Sequence, residues 1–261
     1  MMSLRAWTAV ILVVAVFALA VTTSSSPVFA TPTGESISIN FAADEPAGAT
    51  SPVTGAAGLA GTVNWNNLEG AAGTDVPVFL DAASVSTPST ATVSWVSANT
   101  WASTGRSQEN NTAPEGNDRN LMTGYLDTTA ESVSAVAVEN LDDVFADGYN
   151  IAVYIQGGAT GRGGQYTVTT QSKVSTLNLV TDAAFDGTFI PGGEPGGNYL
   201  VFSGFTDPDF TLTATPTTGS PERAPINGLE IVHVVIPEPS SLVLLGLGVL
   251  GIVGSARRRR R

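Results

Sequence analysis

Apolar and polar residues alternate in short runs through the middle of the chain, between clusters of Gly, Pro, Asn and Asp. Long apolar stripes with the 3.6-residue period of a helix are missing there. Runs of this length with a period of two predict β-strands, and their number predicts an all-β sandwich or barrel. The predicted strands are Glu35–Phe41, Gly61–Trp65, Ala91–Val96, Ser132–Glu139, Asn150–Gln156, Gln165–Gln171, Ser175–Val180, Tyr199–Phe205, Phe210–Ala214 and Leu229–Val235.

Two of these strands allow a finer prediction. Phe210, Leu212 and Ala214 alternate with threonines, which predicts one buried and one exposed face. The run Ser132–Glu139 alternates imperfectly, so we expect burial on both of its faces. The only helical feature expected is one turn at Leu141–Phe145.

The connections between the strands include three long loops, Asp44–Ala60, Asn99–Asn120 and Phe185–Gly197. Loops of this length are often functional, although a tolerated surface insertion is an equally good explanation of each. The glycine-rich run Gly157–Gly164 lies between two predicted strands and opens no helix. It therefore predicts a hairpin loop rather than a phosphate-binding loop.

The N-terminus has the three parts of a secretory signal peptide. Met1 to Arg5 is short and basic, Ala6–Val21 is apolar, and Val28-Phe29-Ala30 fits the small-x-small cleavage rule. We expect cleavage between Ala30 and Thr31. An uncleaved N-terminal anchor is the alternative.

The C-terminus also has three parts. Pro237-Glu238-Pro239 precedes an uncharged segment, Ser240–Ala256, which is at the lower edge of the length that spans a bilayer. Arginines beside a span remain in the cytoplasm, so the last residues predict a cytoplasmic stop. That stop comprises Arg257, Arg258, Arg259, Arg260 and Arg261. A plain tail anchor is the alternative.

In this order and at this spacing, the three C-terminal parts resemble the PEP-CTERM protein-sorting signal of Gram-negative bacteria. The resemblance covers residues 236–261 and implies that Pro237, Glu238 and Pro239 are recognised by an exosortase, a membrane protease-transpeptidase. It also implies an inner-membrane intermediate that is cut near the motif. The producing cell would make exopolysaccharide and display or release the protein at its surface.

Charge becomes more informative once the chain is divided into a signal peptide (1–30), a β-sandwich domain (31–235) and a sorting signal (236–261). The domain retains five basic and 22 acidic residues, a net charge of −17 against −12 for the whole chain. Such a surface repels phosphates, which makes nucleic acid an unsuitable partner. With no cysteine and one histidine, His233, thiol catalysis and multi-histidine metal sites are excluded. His233 itself is expected at a strand surface or in the core.

A second resemblance involves the domain. Asn64–Leu68, Leu121–Asp127, Gly197–Phe202 and Arg223–Val232 resemble a module of secreted bacterial proteins, including PEP-CTERM proteins. The last of these segments is similar to the closing strand of malectin-like and galactose-binding-like jelly rolls. The resemblance implies a single jelly-roll-like β-sandwich, a fold that often binds carbohydrate. Arg223 is expected to pair with a carboxylate before that strand.

Candidate carbohydrate-binding residues are Trp101 and Trp65, together with Asn99 and Arg106. Indole rings can stack on the C–H groups of a sugar, and amide and guanidinium groups can bind its hydroxyls. Burial is the ordinary outcome where a tryptophan on a strand faces inward, and Trp95 is expected in the core for that reason.

Candidate metal ligands are Asp142, Asp143 and Asp147, which lie in an oxygen-rich run suited to a structural calcium ion. The spacing differs from that of an EF-hand, and solvated turns are the alternative. No other cofactor is expected.

These observations favour a non-enzymatic, exported surface or matrix protein that associates with exopolysaccharide and binds carbohydrate weakly. Its partners would be signal peptidase and exosortase during export, the membrane before processing, and extracellular polysaccharide afterwards. Two alternatives remain open: a polysaccharide-active enzyme that uses paired carboxylates, and an inert structural or adhesive protein.

Overall fold

A computed structural model describes residues 35–42, 52–105, 107–218 and 222–234, all of which belong to the unit Thr31–Arg261. The described residues form strands and one short helix, α1 (Asn117–Leu121). The strands are β1 (Glu35–Ala42), β2 (Trp65–Glu69), β3 (Ala72–Ala82), β4 (Val85–Val96), β5 (Asn99–Ala102), β6 (Thr104–Gly105), β7 (Gln108–Glu109), β8 (Gly124–Asp127), β9 (Ser134–Glu139), β10 (Tyr149–Tyr154), β11 (Gly163–Thr169), β12 (Val174–Val180), β13 (Tyr199–Phe205), β14 (Phe210–Thr218) and β15 (Gly228–His233).

Eleven strands form one large sheet in the order β12-β11-β14-β9-β4-β3-β1-β15-β10-β13, with β2 parallel to β1. The other strand pairs along this path are antiparallel. Apolar side chains from both halves of the path share one core, which includes Ile37, Val93, Val136, Ile151, Leu212 and Ile231. The two halves of the sheet therefore enclose a single core, and the predicted all-β, jelly-roll-like class is confirmed.

The predicted alternation is confirmed on β14. Phe210, Leu212 and Ala214 are buried, while Thr211 and Thr213 face outward and are partly exposed. The prediction that Ser132–Glu139 is buried on both faces was wrong. On β9 only the face that carries Val136 and Val138 is fully buried, because the small residues between them are on the outer surface of the sheet.

Strand prediction failed in the region between residues 61 and 90. The strand expected at Gly61–Trp65 begins at Trp65, and before it Thr62 makes only an isolated bridge to Ala57. Strand β3 was missed because Gly73, Asp75 and Pro77 resemble turn residues. Here they accompany two irregularities in the pairing of β3 with β4, and Asp75 has a positive φ of 50°.

The long connections hold more structure than expected. The predicted loop Asn99–Asn120 contains β5, β6, β7 and most of α1. Leu141–Phe145 does form a turn, with the N–H of Phe145 donating to the carbonyl of Leu141 over 2.7 Å. The hairpin prediction for Gly157–Gly164 was wrong. Strand β10 pairs with β13 and β15, and β11 pairs with β12 and β14, so this segment crosses between separate parts of the sheet.

Candidate functional site

The candidate site is one face of the two-stranded sheet formed by β5 and β8. In this antiparallel pair Asn99 is opposite Asp127, and Trp101 is opposite Tyr125. Opposed residues in such a pair, and residues two apart on one strand, share a face, so all four side chains lie on the same side. Asn99 is exposed and Trp101 is half-buried, whereas Tyr125 and Asp127 are buried.

The opposite face of this pair holds it against the domain. Thr100, Ala102 and Leu126 are buried there, and Leu126 belongs to the main core. Leu126 also exchanges two backbone hydrogen bonds with Ile226, over 2.9 and 3.2 Å. The alternation of Tyr125-Leu126-Asp127 thus places the apolar residue in the core and the two polar residues toward the candidate site.

A half-buried tryptophan and a glutamine lie at the outer part of this face. The indole Nε1 of Trp101 donates to Oε1 of Gln108 on β7 over 3.2 Å. That oxygen also lies close to Gly158, where an added Cβ would be 1.3 Å away. Gln108 is therefore placed between Trp101 and the segment Gly157–Gly164.

Two arginines reach the buried part of the same face. The hydroxyl of Tyr125 accepts from Nη1 of Arg162 over 2.9 Å and from the backbone N–H of Gly158 over 3.0 Å. Nε of Arg223 lies 3.3 Å from Oδ2 of Asp127. The expectation that Arg223 pairs with a carboxylate is therefore confirmed.

Burial shifts the pKa values of Asp127 and Tyr125. Loss of water raises the pKa of Asp127 to about 6, although Arg223 and Arg162 lower it by attraction. The pKa of Tyr125 is also raised, first by burial and then by the charge of Asp127. At neutral pH the site therefore holds an ionised Asp127, a neutral Tyr125 and two cations.

The structure separates the predicted sugar-binding residues. Trp101 and Asn99 share the candidate face, and Arg106 lies outside the described residues. Trp65 is only 8% exposed, donates through Nε1 to the carbonyl of Thr62 over 2.8 Å, and packs beside the ring of Tyr154. This placement leaves Trp65 little surface for stacking on a sugar. Trp95 is buried as expected, with its Nε1 bonded to the carbonyl of Gly70.

Sequence reasoning missed three residues of the site, Tyr125, Asp127 and Arg162. A signal for the first two was present, because a polar, apolar, polar sequence in a short strand predicts one polar face. Arg162 could not be placed from sequence, since its position depends on the crossing of Gly157–Gly164 over β5 and β8. The one available signal was that Arg162 is among only five basic residues in an acidic domain.

The predicted metal ligands Asp142, Asp143 and Asp147 are exposed on the turn before β10. Among the residues that the structure describes, no group of three or more acidic, histidine or cysteine side chains is arranged to hold a metal ion. Oδ2 of Asp147 lies 3.8 Å from Nε2 of His233, whose Nδ1 is 3.4 Å from Glu35. His233 is thus a partly exposed residue at the end of β15, as expected.

A second buried carboxylate, Glu230 on β15, has a structural role. It accepts hydrogen bonds from the N–H groups of Leu59 and Ala60, over 3.0 and 3.2 Å, and from the hydroxyls of Thr62 and Tyr154. These bonds hold the end of the predicted loop Asp44–Ala60 against the sheet. With all of these donors directed at it, Glu230 has no open side toward a ligand.

An acidic cleft of about 430 Å³ lies on the outer side of the sheet beside Glu139, Asp207 and Asp209. Asp207 accepts hydrogen bonds from the hydroxyls of Thr170 and Ser172, which lower its pKa. Asp209 accepts from the N–H of Asn140 over 3.0 Å. Asp207 and Asp209 thus help to fix the neighbouring turns.

Comparison with known proteins identifies the C-terminus. The family model of the PEP-CTERM protein-sorting motif matches residues 235–260. This motif supports exosortase-dependent export, and it indicates a secreted protein that passes through the membrane to the cell surface. The signal-cleavage residues Ala30 and Thr31, the motif Pro237-Glu238-Pro239 and the arginines 257–261 lie outside the described residues. Within the described part of the chain, no helix is long and apolar enough to span a membrane.

Similarity over the domain itself is slight. No curated protein matches the chain. Among solved structures, the K2 cleaved adhesin domain of Lys-gingipain is similar at 9% identity and a TM-score of 0.27. That match covers 53% of this chain and 89% of the adhesin domain.

Proposed function

We propose that this PEP-CTERM protein is a non-enzymatic component of the cell surface or extracellular matrix, which associates with exopolysaccharide by binding carbohydrate weakly at the face of β5 and β8. The observation that supports the proposal is the shared face of Asn99 and Trp101, with Tyr125 and Asp127 directly opposite them. No resident cofactor is part of this proposal.

The chemistry of this face suits a sugar ring. Trp101 offers a partly exposed aromatic surface, against which the C–H groups of a pyranose can pack. Asn99 and Gln108 carry amides, which donate to and accept from hydroxyl groups. A site with one half-buried ring has a small contact area, so we expect weak affinity for a single sugar. Many copies on one polysaccharide chain would strengthen the association through avidity.

Affinity electrophoresis in gels that contain polysaccharide, including the producer's own, tests the proposal. We expect the exported protein to be retarded and the Trp101→Ala variant to migrate as it does without polysaccharide. Phe79→Ala is a matched control, because Phe79 is 53% exposed on β3, outside the site. Retardation of wild type and Trp101→Ala to the same extent would place the binding elsewhere.

The same samples separate the two alternatives. An inert structural or adhesive protein would show no retardation by any polysaccharide. A polysaccharide-active enzyme would release reducing ends or unsaturated sugars during incubation. The proposal requires retardation without either product.

A further inference from the structure

Arg162 is a buried cation without a carboxylate partner among the described residues. It is 8% exposed, and none of the ion pairs among the described residues includes it. Its Nη1 donates to the hydroxyl of Tyr125, and its Nε has no hydrogen-bond partner in the described part of the chain. An unpaired charge is costly to bury, so an anionic partner would stabilise this position.

Tyr125 adds an unused donor at the same place. Its oxygen accepts from Arg162 and from the N–H of Gly158, at 2.9 and 3.0 Å. The hydrogen of this hydroxyl group has no acceptor among the contacts that the described residues make with it. The Nε–H of Arg162 and the O–H of Tyr125 are therefore two donors without an acceptor among the described residues.

Asp127 attracts Arg162 but forms its ion pair with Arg223. Its Oδ2 is paired with Arg223 at 3.3 Å, and no residue that the structure describes forms a hydrogen bond with its Oδ1. The pair of Asp127 with Arg223 is neutral, which leaves the charge of Arg162 in excess. This local positive charge lies inside a domain whose net charge is −17.

We propose that Arg162 and Tyr125 form a subsite for the carboxylate of an acidic sugar, a uronic acid, whose ring packs on Trp101. This inference rests on the proposed function and specifies the ligand of the same site. The planar guanidinium group binds a carboxylate through two parallel hydrogen bonds, and the tyrosine hydroxyl supplies a further donor. The free Oδ1 of Asp127 accepts from a hydroxyl of the sugar.

Access to the subsite requires movement of Gln108. This side chain accepts from Trp101 and lies directly beside Gly158, whose N–H binds Tyr125. Its amide is at the end of a flexible side chain, so a ligand can displace it by rotation about single bonds. The ligand's oxygens then replace the oxygen of Gln108 near Trp101.

Isothermal titration of the exported protein tests the subsite. The probes are oligomers of glucuronate, galacturonate and mannuronate, each compared with its carboxyl-reduced, neutral form. We expect at least one uronate to bind at least tenfold more tightly than its neutral form. Arg162→Gln should abolish that preference, whereas Arg119→Gln, at an arginine on α1 outside the site, should retain it.

Thermal unfolding separates binding from a structural role. Removal of an unpaired buried charge should leave the Tm of Arg162→Gln equal to or above that of wild type. If this variant does not fold, Arg162→Lys keeps the charge without the planar fork and should show a reduced preference. A variant that unfolds at lower temperature while the uronate preference persists would overturn the assignment of Arg162.

The two proposals fail in different ways. Equal affinity for the acidic and neutral forms would overturn the uronate subsite and leave carbohydrate binding at Trp101 intact. No binding of any oligomer would overturn both. Loss of binding to both forms in Trp101→Ala, together with loss of the uronate preference in Arg162→Gln, is the pattern that supports both.

Discussion

Tyr154 donates its hydroxyl hydrogen to Glu230, and both side chains are fully buried between the sheet and the segment 57–62. Burial raises the pKa of Glu230 to about 6, although its hydrogen bonds lower it. The pKa of Tyr154 is raised too, first by burial and then by the charge of Glu230. Folding therefore favours the protonated form of Glu230 over the ionised form.

The free energy of unfolding should fall as the pH rises from about 4 to 7. A carboxyl group whose pKa is raised by folding binds its proton more tightly in the folded state, so its stabilisation is complete below the unfolded value and is lost through the folded one. Glu230 changes from 4.5 to about 6, which corresponds to about 2 kcal/mol. Asp127, raised from 3.8 to about 6, acts in the same direction. Urea unfolding at a series of pH values measures the slope.

Substitution of these carboxyl groups should reduce the slope. Glu230→Gln and Asp127→Asn each remove one titrating group, so each should flatten the curve between pH 4 and 7. Glu139→Gln, on the exposed end of β9, changes the charge equally and serves as the control. An unfolding free energy that rises steadily with pH in wild type would contradict the prediction.

The ion pair of Arg223 with Asp127 should contribute to stability. Arg223→Ala removes the cation that contacts Oδ2 of Asp127 and leaves this carboxylate buried. We therefore expect the free energy of unfolding to fall by about 1–3 kcal/mol. Asp127→Asn in the same background should restore part of that loss, because it removes the uncompensated charge. A double-mutant cycle by urea unfolding gives the coupling, and Arg119→Ala provides the control for loss of an arginine.

The fold class could be predicted because apolar and polar residues alternate along the strands. On β14 the apolar residues of this pattern are buried and the polar ones are partly exposed. Prediction failed where local residue preferences were overruled, as in β3, whose Pro77 and Asp75 accompany irregular pairing. The candidate residues Trp101 and Asn99 share one face in the structure, and their role in sugar binding stays a prediction. Arg162 and Gly158 reach the site from more than 30 residues beyond Tyr125 along the chain, which no local pattern reveals.

Gly164 should tolerate no side chain, because β11 is close to β14 there. An added Cβ would lie 2.1 Å from the backbone oxygen of Thr215, so the paired strands must separate. We expect Gly164→Ala to lower the free energy of unfolding by about 1–3 kcal/mol. Gly61→Ala is the comparison. Its Cβ would meet open space, and only its positive φ of 65° adds strain, about 1 kcal/mol. Equal losses in the two variants would refute the steric explanation.

Export should depend on the C-terminal motif. Because residues 235–260 match the PEP-CTERM protein-sorting motif, simultaneous replacement of Pro237, Glu238 and Pro239 by alanine should block exosortase processing. We expect this variant to remain in the inner membrane at full length, as judged by immunoblots of fractionated cells with an antibody to the domain. Glu194→Ala with Pro195→Ala removes a similar Glu-Pro pair from an exposed loop and should be processed normally. Release of the triple variant at the same size and rate as wild type would show that sorting does not require these three residues.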